Sequence, residues 1–401
     1  MKQLNRFYIY AISIIFLSCI EEYKLPTDKT LDFESNLVIQ GQILSGDNTY
    51  IFISRTQPIA NTLKEEIIEN AEIKLIGENG YISQKASFNE ENGRYVIPSH
   101  NLQADTQYAL EIKLDGEIYQ SEFQPIYTTP EITDVHYEEQ ENGISLYVST
   151  QGTVNGPKYY MWTYDEDWEF HAEMDISKKV DGEWYYDNTY YPLLKEEEHN
   201  PYLYCWGHNE SSQIHIYTTE NLSANEVKNQ EFLYIPNDDI RISYLYSILV
   251  KQACLNEKGY EYYRLMKLYT QESSGIFTPI PGMVKGNVKC VSNSNIQVYG
   301  YVMASNITTK RIFIYESDFQ KTRSQYANCV SKLGSEEPTT IAGGWRRGWE
   351  KEVEVNAAVI YNKKPGIIDE SSIIYTRACV DCTANNKSTK KRPDFWPNNH
   401  E

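Results

Sequence analysis

Positive charge is in short supply. Across 401 residues, 37 lysines and arginines stand against 56 aspartates and glutamates, giving a net charge of −19 and a pI near 4.9. That balance excludes bulk electrostatic attraction to nucleic acid or to an anionic membrane surface. Catalytic signatures are missing as well: the chain has no Gly-x-Ser-x-Gly elbow, His-Glu-x-x-His helix, phosphate loop or dinucleotide fingerprint. The expectation is a protein that is not an enzyme and carries no cofactor. Cysteine is absent between Cys19 and Cys205, so any covalent crosslink of the body belongs to its second half.

What is present begins at the N-terminus. Lys2 and Arg6 precede an apolar run from Tyr8 to Leu17, about ten residues, which suits a signal-peptide core and is too short to span a bilayer. Small Ser18 then precedes Cys19, an order that resembles the lipobox of bacterial lipoproteins, although Phe16 and Leu17 depart from its commonest form. The resemblance implies cleavage after residue 18 and diacylation of the Cys19 thiol, and two or more acyl chains make such an anchor durable. Glu21 and Glu22 resemble the acidic surface-export signal of Bacteroidota lipoproteins. The expected organisation is a signal peptide at 1–18, a lipidated tether at 19–34, and a body held to the outer membrane on its extracellular face.

Six cysteines remain, Cys205, Cys254, Cys290, Cys329, Cys379 and Cys382. An even number in an exported chain points to disulfides, with fifteen full pairings open. Cys379-Val-Asp-Cys382 has the spacing of redox and zinc sites but lacks a second such pair, so a structural disulfide is favoured over metal. Cys205-Trp206-Gly207-His208 with His215 is a metal half-site without a matching partner. No metal is expected.

Thirty-four tyrosines, with abundant Ile, Val and Thr, predict a mostly β fold. Short alternating runs at 37–41, 50–54, 71–76, 81–88, 94–97, 107–114 and 118–123 are separated by turn signals at Gly46, Gly80, Gly93 and Gly116. Seven such strands predict an Ig-like β-sandwich over 35–126. The series Val38-x-Gly, Ala71-x-Ile73-x-Leu75, Gly93-x-Tyr95 and Tyr108-x-Leu110 resembles carboxypeptidase-regulatory-like modules of bacterial surface proteins, which implies a spacer or docking domain. Residues from Pro125 to Pro130 read as a linker to a larger β-rich domain at 131–401, with strands at 144–149, 159–164, 213–218, 231–235 and 242–251. One main helix follows, capped by Asn256 and ended at Gly275, with Tyr262, Leu265 and Met266 on one face.

The acids Asp165, Glu166, Asp167 and Glu169 lie among Trp162, Trp168 and Phe170. Carboxylates beside aromatic faces suit a sugar, a calcium ion or the acid–base pair of a glycosidase. Adjacent residues of a strand face opposite sides, so all four cannot converge, and a solvated turn is the favoured reading. Trp162, Asp165, Asp167, Trp168 and Glu169 are the candidate binding residues. The basic run ending at Arg392 precedes Phe395 and Trp396, whose aromatics are expected to tuck into the domain.

Taken together, the lipobox, the regulatory-like sandwich, Trp162-Thr-Tyr164, Gly286-Asn287, Gly300-Tyr301, Cys379-x-x-Cys382 and Arg392-Pro-Asp-Phe-Trp396 resemble the Bacteroidota lipoproteins of domain-of-unknown-function family 4249. The resemblance spans essentially the full mature chain and implies an outer-membrane lipoprotein with no established chemistry, found near TonB-dependent transporters. The implied role is binding a glycan or peptide, or a partner such as that transporter or another envelope protein. The alternatives are a surface glycan hydrolase and a structural envelope component.

Overall fold

The computed structural model describes residues 35–57, 66–98, 102–172, 203–270, 284–319, 331–333, 359–361, 373–375, 382–384 and 388–397. The expected signal peptide, Cys19 and the tether lie outside the described residues, as do Cys329, Cys379 and the expected helix end at Gly275.

Period-two patterning fixes the first strands. In β1 (Leu37–Ser45), Leu37, Ile39 and Ile43 are buried in one core while Gln40 and Gln42 take the other face. β2 (Asn48–Arg55) turns Ile51 and Ile53 inward in the same way. β3 (Glu72–Gly77), β4 (Arg94–Pro98), β5 (Gln107–Leu114) and β6 (Glu117–Ser121) follow, and the glycines of the four expected turns all have positive φ. Next come β7 (Ile132–Glu139), β8 (Gly143–Gln151), β9 (Tyr159–His171), β10 (Tyr204–Glu210), β11 (Glu226–Pro236) and β12 (Leu245–Leu255). The one α-helix of the described residues, α1 (Glu257–Thr270), leads on to β13 (Val302–Tyr315). Asn256 caps α1 as expected, its Oδ1 accepting from the Gly259 N–H at 2.7 Å. The fold is mostly β.

A single long sheet runs through both halves of the chain, in the order Ser388–Thr389, β10, β9, β12, β13, β1, β2, β4, Ser87–Asn89. β13 is the join. Its start pairs in parallel with β1, from Gly41↔Val302 to Ser45↔Asn306, and the remainder pairs antiparallel with β12 up to Leu245↔Tyr315. Two smaller sheets cover one face of it. β3, β5, β6 and Val288–Cys290 lie over the β1–β2–β4 half and enclose Ile39, Ile53, Leu75, Tyr95 and Leu110. β7, β8 and β11 lie over the β9–β12–β13 half and enclose Leu146, Tyr160, Trp162 and Ile248. The sandwich expected at 35–126 is thus completed by strands from 288–305.

That insertion explains the paired glycines. A Cβ on Gly300, whose φ is +103°, would lie 1.9 Å from the Ile39 carbonyl oxygen, and one on Gly286 would lie 1.5 Å from the Gly300 oxygen. Backbones approach this closely only where side chains are missing. Asn287 then acts as a strand surrogate, its carboxamide both accepting from the Val302 N–H and donating to the Val302 carbonyl at 2.8 Å.

The stretch read as a linker is a hydrogen-bonded crossing instead. Thr129 is buried and accepts from the Cys254 N–H at 3.1 Å, while Gln252 and Thr308 donate to the Pro130 carbonyl at 2.7 and 2.9 Å. Buried backbone groups need such partners, and this proline-flanked stretch finds them on side chains of its neighbours and, at the Tyr127 carbonyl, on the Asn306 N–H at 3.0 Å.

Cys205 and Cys382 form a disulfide across 177 residues. On the chain-entropy model, closing so long a loop is worth about 5 kcal/mol. Cys254 and Cys290, expected among the crosslinked cysteines, are free and buried. They sit in different cores on opposite halves of the long sheet, so they cannot meet each other. Burial pushes the Cys254 thiol up to about 12, which makes it an inert core residue.

Candidate functional site: the concave face of the long sheet

The face left uncovered by the two smaller sheets is concave. Arg94 on β4 and Glu210 on β10 meet through an ion pair, Nη1 to Oε2, at 2.8 Å. Six interstrand steps separate these strands, about 29 Å in a flat sheet. Contact between their side chains requires the sheet to curl toward this face.

Both ends of the resulting trough are capped by aromatic residues. At one end α1 lays Tyr262, Tyr263 and Met266 over Leu44, Met161, Tyr301 and Met303. At the other, the C-terminal segment seats Trp396 against Trp206 and Leu245. Odd-numbered residues of β9 trace the trough from end to end. Met161 lies beneath the helix, Thr163 and Asp165 border open space, and Glu169 lies beneath Trp396. Between the caps is a cleft of about 570 Å³, bordered by β1, β2, β4, β9 and β12.

The five candidate binding residues separate accordingly. Asp165 borders the cleft and pairs with Lys251 at 2.6 Å. Asp167 lies next along the trough, mostly buried, accepting from His208 Nδ1 at 2.8 Å and from Arg311 at 3.3 Å. Glu169 has no exposed surface and accepts from the Trp396 indole at 2.7 Å and faces His171 Nε2 at 3.0 Å. Trp162 and Trp168 belong to the opposite, covered face. Trp162 is 1% exposed and donates to Gln252 Oε1 at 2.8 Å. Trp168 lies over Gly207, where a Cβ would come within 2.2 Å of the ring, and its indole N–H has no partner among the described residues. The solvated turn expected at 165–169 is therefore the middle of a thirteen-residue strand. Glu166, on the covered face, is equally committed: Arg241, Tyr246 and Asn209 donate to it at 2.6, 2.7 and 3.0 Å. Burial and the Glu166 charge push the Tyr246 phenol well above its ordinary value, so it stays a neutral donor.

The cleft itself draws on residues that local sequence patterning did not mark. Gln40 and Gln42 from β1, Tyr50 and Phe52 from β2, and Asn89, Asn92 and Arg94 around β4 border it, facing Asp165, Glu210 and Lys251. Their signal was the polar half of each alternating strand, which reads as ordinary solvent exposure until the sheet curls. Among the described residues, the side-chain amides of Gln40 and Gln42 make no hydrogen bond. Asn89 and Asn92 use only their oxygens, which accept from the N–H groups of Glu91 and Arg94 at 2.9 and 3.2 Å. The ionic groups are already matched, Asp165 to Lys251 and Glu210 to Arg94.

Among the described residues, the Ser247, Asp167 and His208 side chains beside the cleft do not form a nucleophile–base pair. Asp167 stands between Ser247 and His208 in the strand register, so the acid separates the hydroxyl from the imidazole and His208 cannot take the serine proton. Cys205, the first residue of the candidate metal half-site, is consumed in the disulfide. Among the described residues, no group of three His, Cys, Asp or Glu side chains is placed to hold a metal ion.

No helix among the described residues is long and apolar enough to cross a membrane. No curated protein matches this chain. A family model described as a domain of unknown function, DUF4249, matches residues 20–311. That span includes every residue bordering the cleft and ends within β13, before the Trp396 cap. Both sandwiches, the cleft and most of the curled sheet lie within that span, and the chain belongs to the DUF4249 family.

Proposed function

We propose that this chain is a non-catalytic binding protein, anchored through lipid at Cys19 to the outer membrane with its body on the extracellular face. It acts there as an accessory to an envelope protein such as a TonB-dependent transporter. The address is supported by the Lys2–Arg6 segment, the short apolar run and the Ser18-Cys19 order. The observation that carries the binding role is the cleft on the concave face. It combines partner-free amides with aromatic rings, its ion pairs are matched internally, and its size falls in the range of small-molecule sites. A purely structural envelope component has no use for such a cavity.

Affinity purification of the full chain from detergent extracts of its own membranes tests this reading. Co-recovery of an envelope protein or a saccharide, reduced when Gln42→Trp fills the cleft, is the expected outcome. Recovery of the chain alone in both forms contradicts it.

One observation favours the hydrolase alternative: Asp165 and Glu210 are directly opposed across the β9–β10 pair and both border the cleft. Cross-strand neighbours of this kind sit about 5 Å apart, the separation of a retaining glycosidase pair. Each carboxylate already meets a cation, which suits an ion-paired wall better than a proton donor. Glycan cleavage abolished by Asp165→Asn and Glu210→Gln would establish the hydrolase and displace the binding role.

A further inference from the structure

We infer that the cleft takes a short, uncharged oligosaccharide lying across β1 and β2, an assignment that rests on the binding role proposed above and names its ligand class. Four observations lead there. First, the floor is the interior of a sheet: β1 is paired on both sides, with β2 and β13, and β2 is paired with β1 and β4. Its backbone N–H and C=O groups are occupied, so a peptide cannot add as an extra strand, which requires a free edge. Recognition must come from side chains.

Second, those side chains are amides with unused capacity. Gln40 and Gln42 stand two residues apart on one face of β1 and have no hydrogen-bond partner among the described residues. Asn89 and Asn92 have their oxygens engaged in the turn before β4 and keep their NH₂ groups as donors. A carboxamide presents a donor and an acceptor in one plane, which matches a hydroxyl that is itself donor and acceptor. Third, Tyr50 and Phe52, two residues apart on the adjoining strand, border the same space. Such rings offer the apolar faces against which the C–H side of a sugar packs while polar groups read its hydroxyls.

Fourth, the described residues lining the cleft leave no unmatched cation. Lys251 is held by Asp165 at 2.6 Å and Arg94 by Glu210 at 2.8 Å, and Asp47 adds a further carboxylate to the wall. A uronate or sulfate group entering here finds no free countercharge and meets three carboxylates, within a protein of net charge −19.

The test is calorimetric titration of the full chain with neutral glucan, xylan and mannan oligosaccharides and, in parallel, with oligogalacturonate and chondroitin sulfate fragments. The detergent is a polyoxyethylene ether, because alkyl maltosides would compete for the site. Neutral oligosaccharides are expected to bind, with affinity about tenfold weaker in Gln40→Ala and in Asn89→Ala/Asn92→Ala. A Leu222→Ala control, outside the cleft, is expected to leave affinity unchanged. The disulfide and the near-ultraviolet dichroism report that each variant is folded. Binding of only the anionic fragments, lost in the cleft variants, overturns the ligand class while leaving the binding role intact. Neutral binding that the cleft variants do not weaken overturns the site, and absence of binding by every saccharide overturns the inference outright.

Discussion

Glu169 and Trp396 show how much a single contact settles. A carboxylate with no exposed surface is tolerated only where donors surround it, and the Trp396 indole is one of them at 2.7 Å. Trp396→Phe keeps an aromatic ring, smaller than the indole, and deletes the donor. It should destabilise the chain by about 1–3 kcal/mol in urea unfolding, whereas an exposed phenylalanine-to-leucine change at Phe395 should cost less. The two histidines on β10 and beyond it predict opposite pH behaviour. Donating to Asp167 raises the His208 imidazole above 6.5, so its stabilisation is complete below that value and is lost as pH rises through the higher folded one. His215, pushed down to about 4 by burial against Tyr164 and Phe232, takes up its proton in the unfolded chain first. Stability should therefore fall as pH drops from about 6.5 toward 4, and His215→Phe should flatten that decline. Proton NMR titration resolves the first effect and urea midpoints at pH 7 and 4.5 the second. A His208 midpoint unmoved by Asp167→Asn, or an acid limb unchanged in His215→Phe, contradicts these assignments.

At the level of elements, β1 and β13 carry the fold because they join the two sandwiches. Gly300 makes their approach possible, and Gly300→Ala should cost at least about 3 kcal/mol, from the φ of +103° and the clash with the Ile39 carbonyl together. A melting temperature within a few degrees of the parent protein would rule out the close approach. Strands β1 to β6 of the first sandwich were legible in the sequence because their alternation is punctuated by glycine turns, whereas the run read as a strand at 81–88 forms one only at Ser87–Asn89. α1 was legible from Asn256 and its apolar stripe. β9 beyond Tyr164 was not. Four acids in five residues read as a turn, since the groups that donate to Glu166, Asp167 and Glu169, namely Arg241, Arg311 and Trp396, lie 75, 144 and 227 residues further along the chain. A local pattern holds no trace of partners that distant. The contribution of 288–305 to the first sandwich was hidden for the same reason. The Gly286-Asn287 and Gly300-Tyr301 pairs stood out as motifs, but their purpose is a contact with Ile39 and Val302 that spacing does not encode.

For the molecule as a whole, one disulfide and two buried thiols define the covalent state of the described residues. Peptide mapping without reductant should recover Cys205 joined to Cys382, with Cys254 and Cys290 alkylated only after unfolding. A crosslink involving either of the latter would contradict the packing of the two cores. The candidate site emerges only at this scale, since Gln40, Tyr50, Arg94, Asp165 and Glu210 come together because a single sheet bends. Of the residues singled out in the sequence for binding, Asp165 alone borders the cleft, because aromatic and acidic clustering marked a strand whose other face is core. Everything said of the cleft depends on that bend, which brings β4 to β10. Arg94→Lys treated with a zero-length carbodiimide measures it directly. An amide bond between residues 94 and 210 in the mass spectrum is the predicted result. Crosslinks confined to neighbouring strands, with none between these two positions, would mean the sheet lies open and the cleft does not exist.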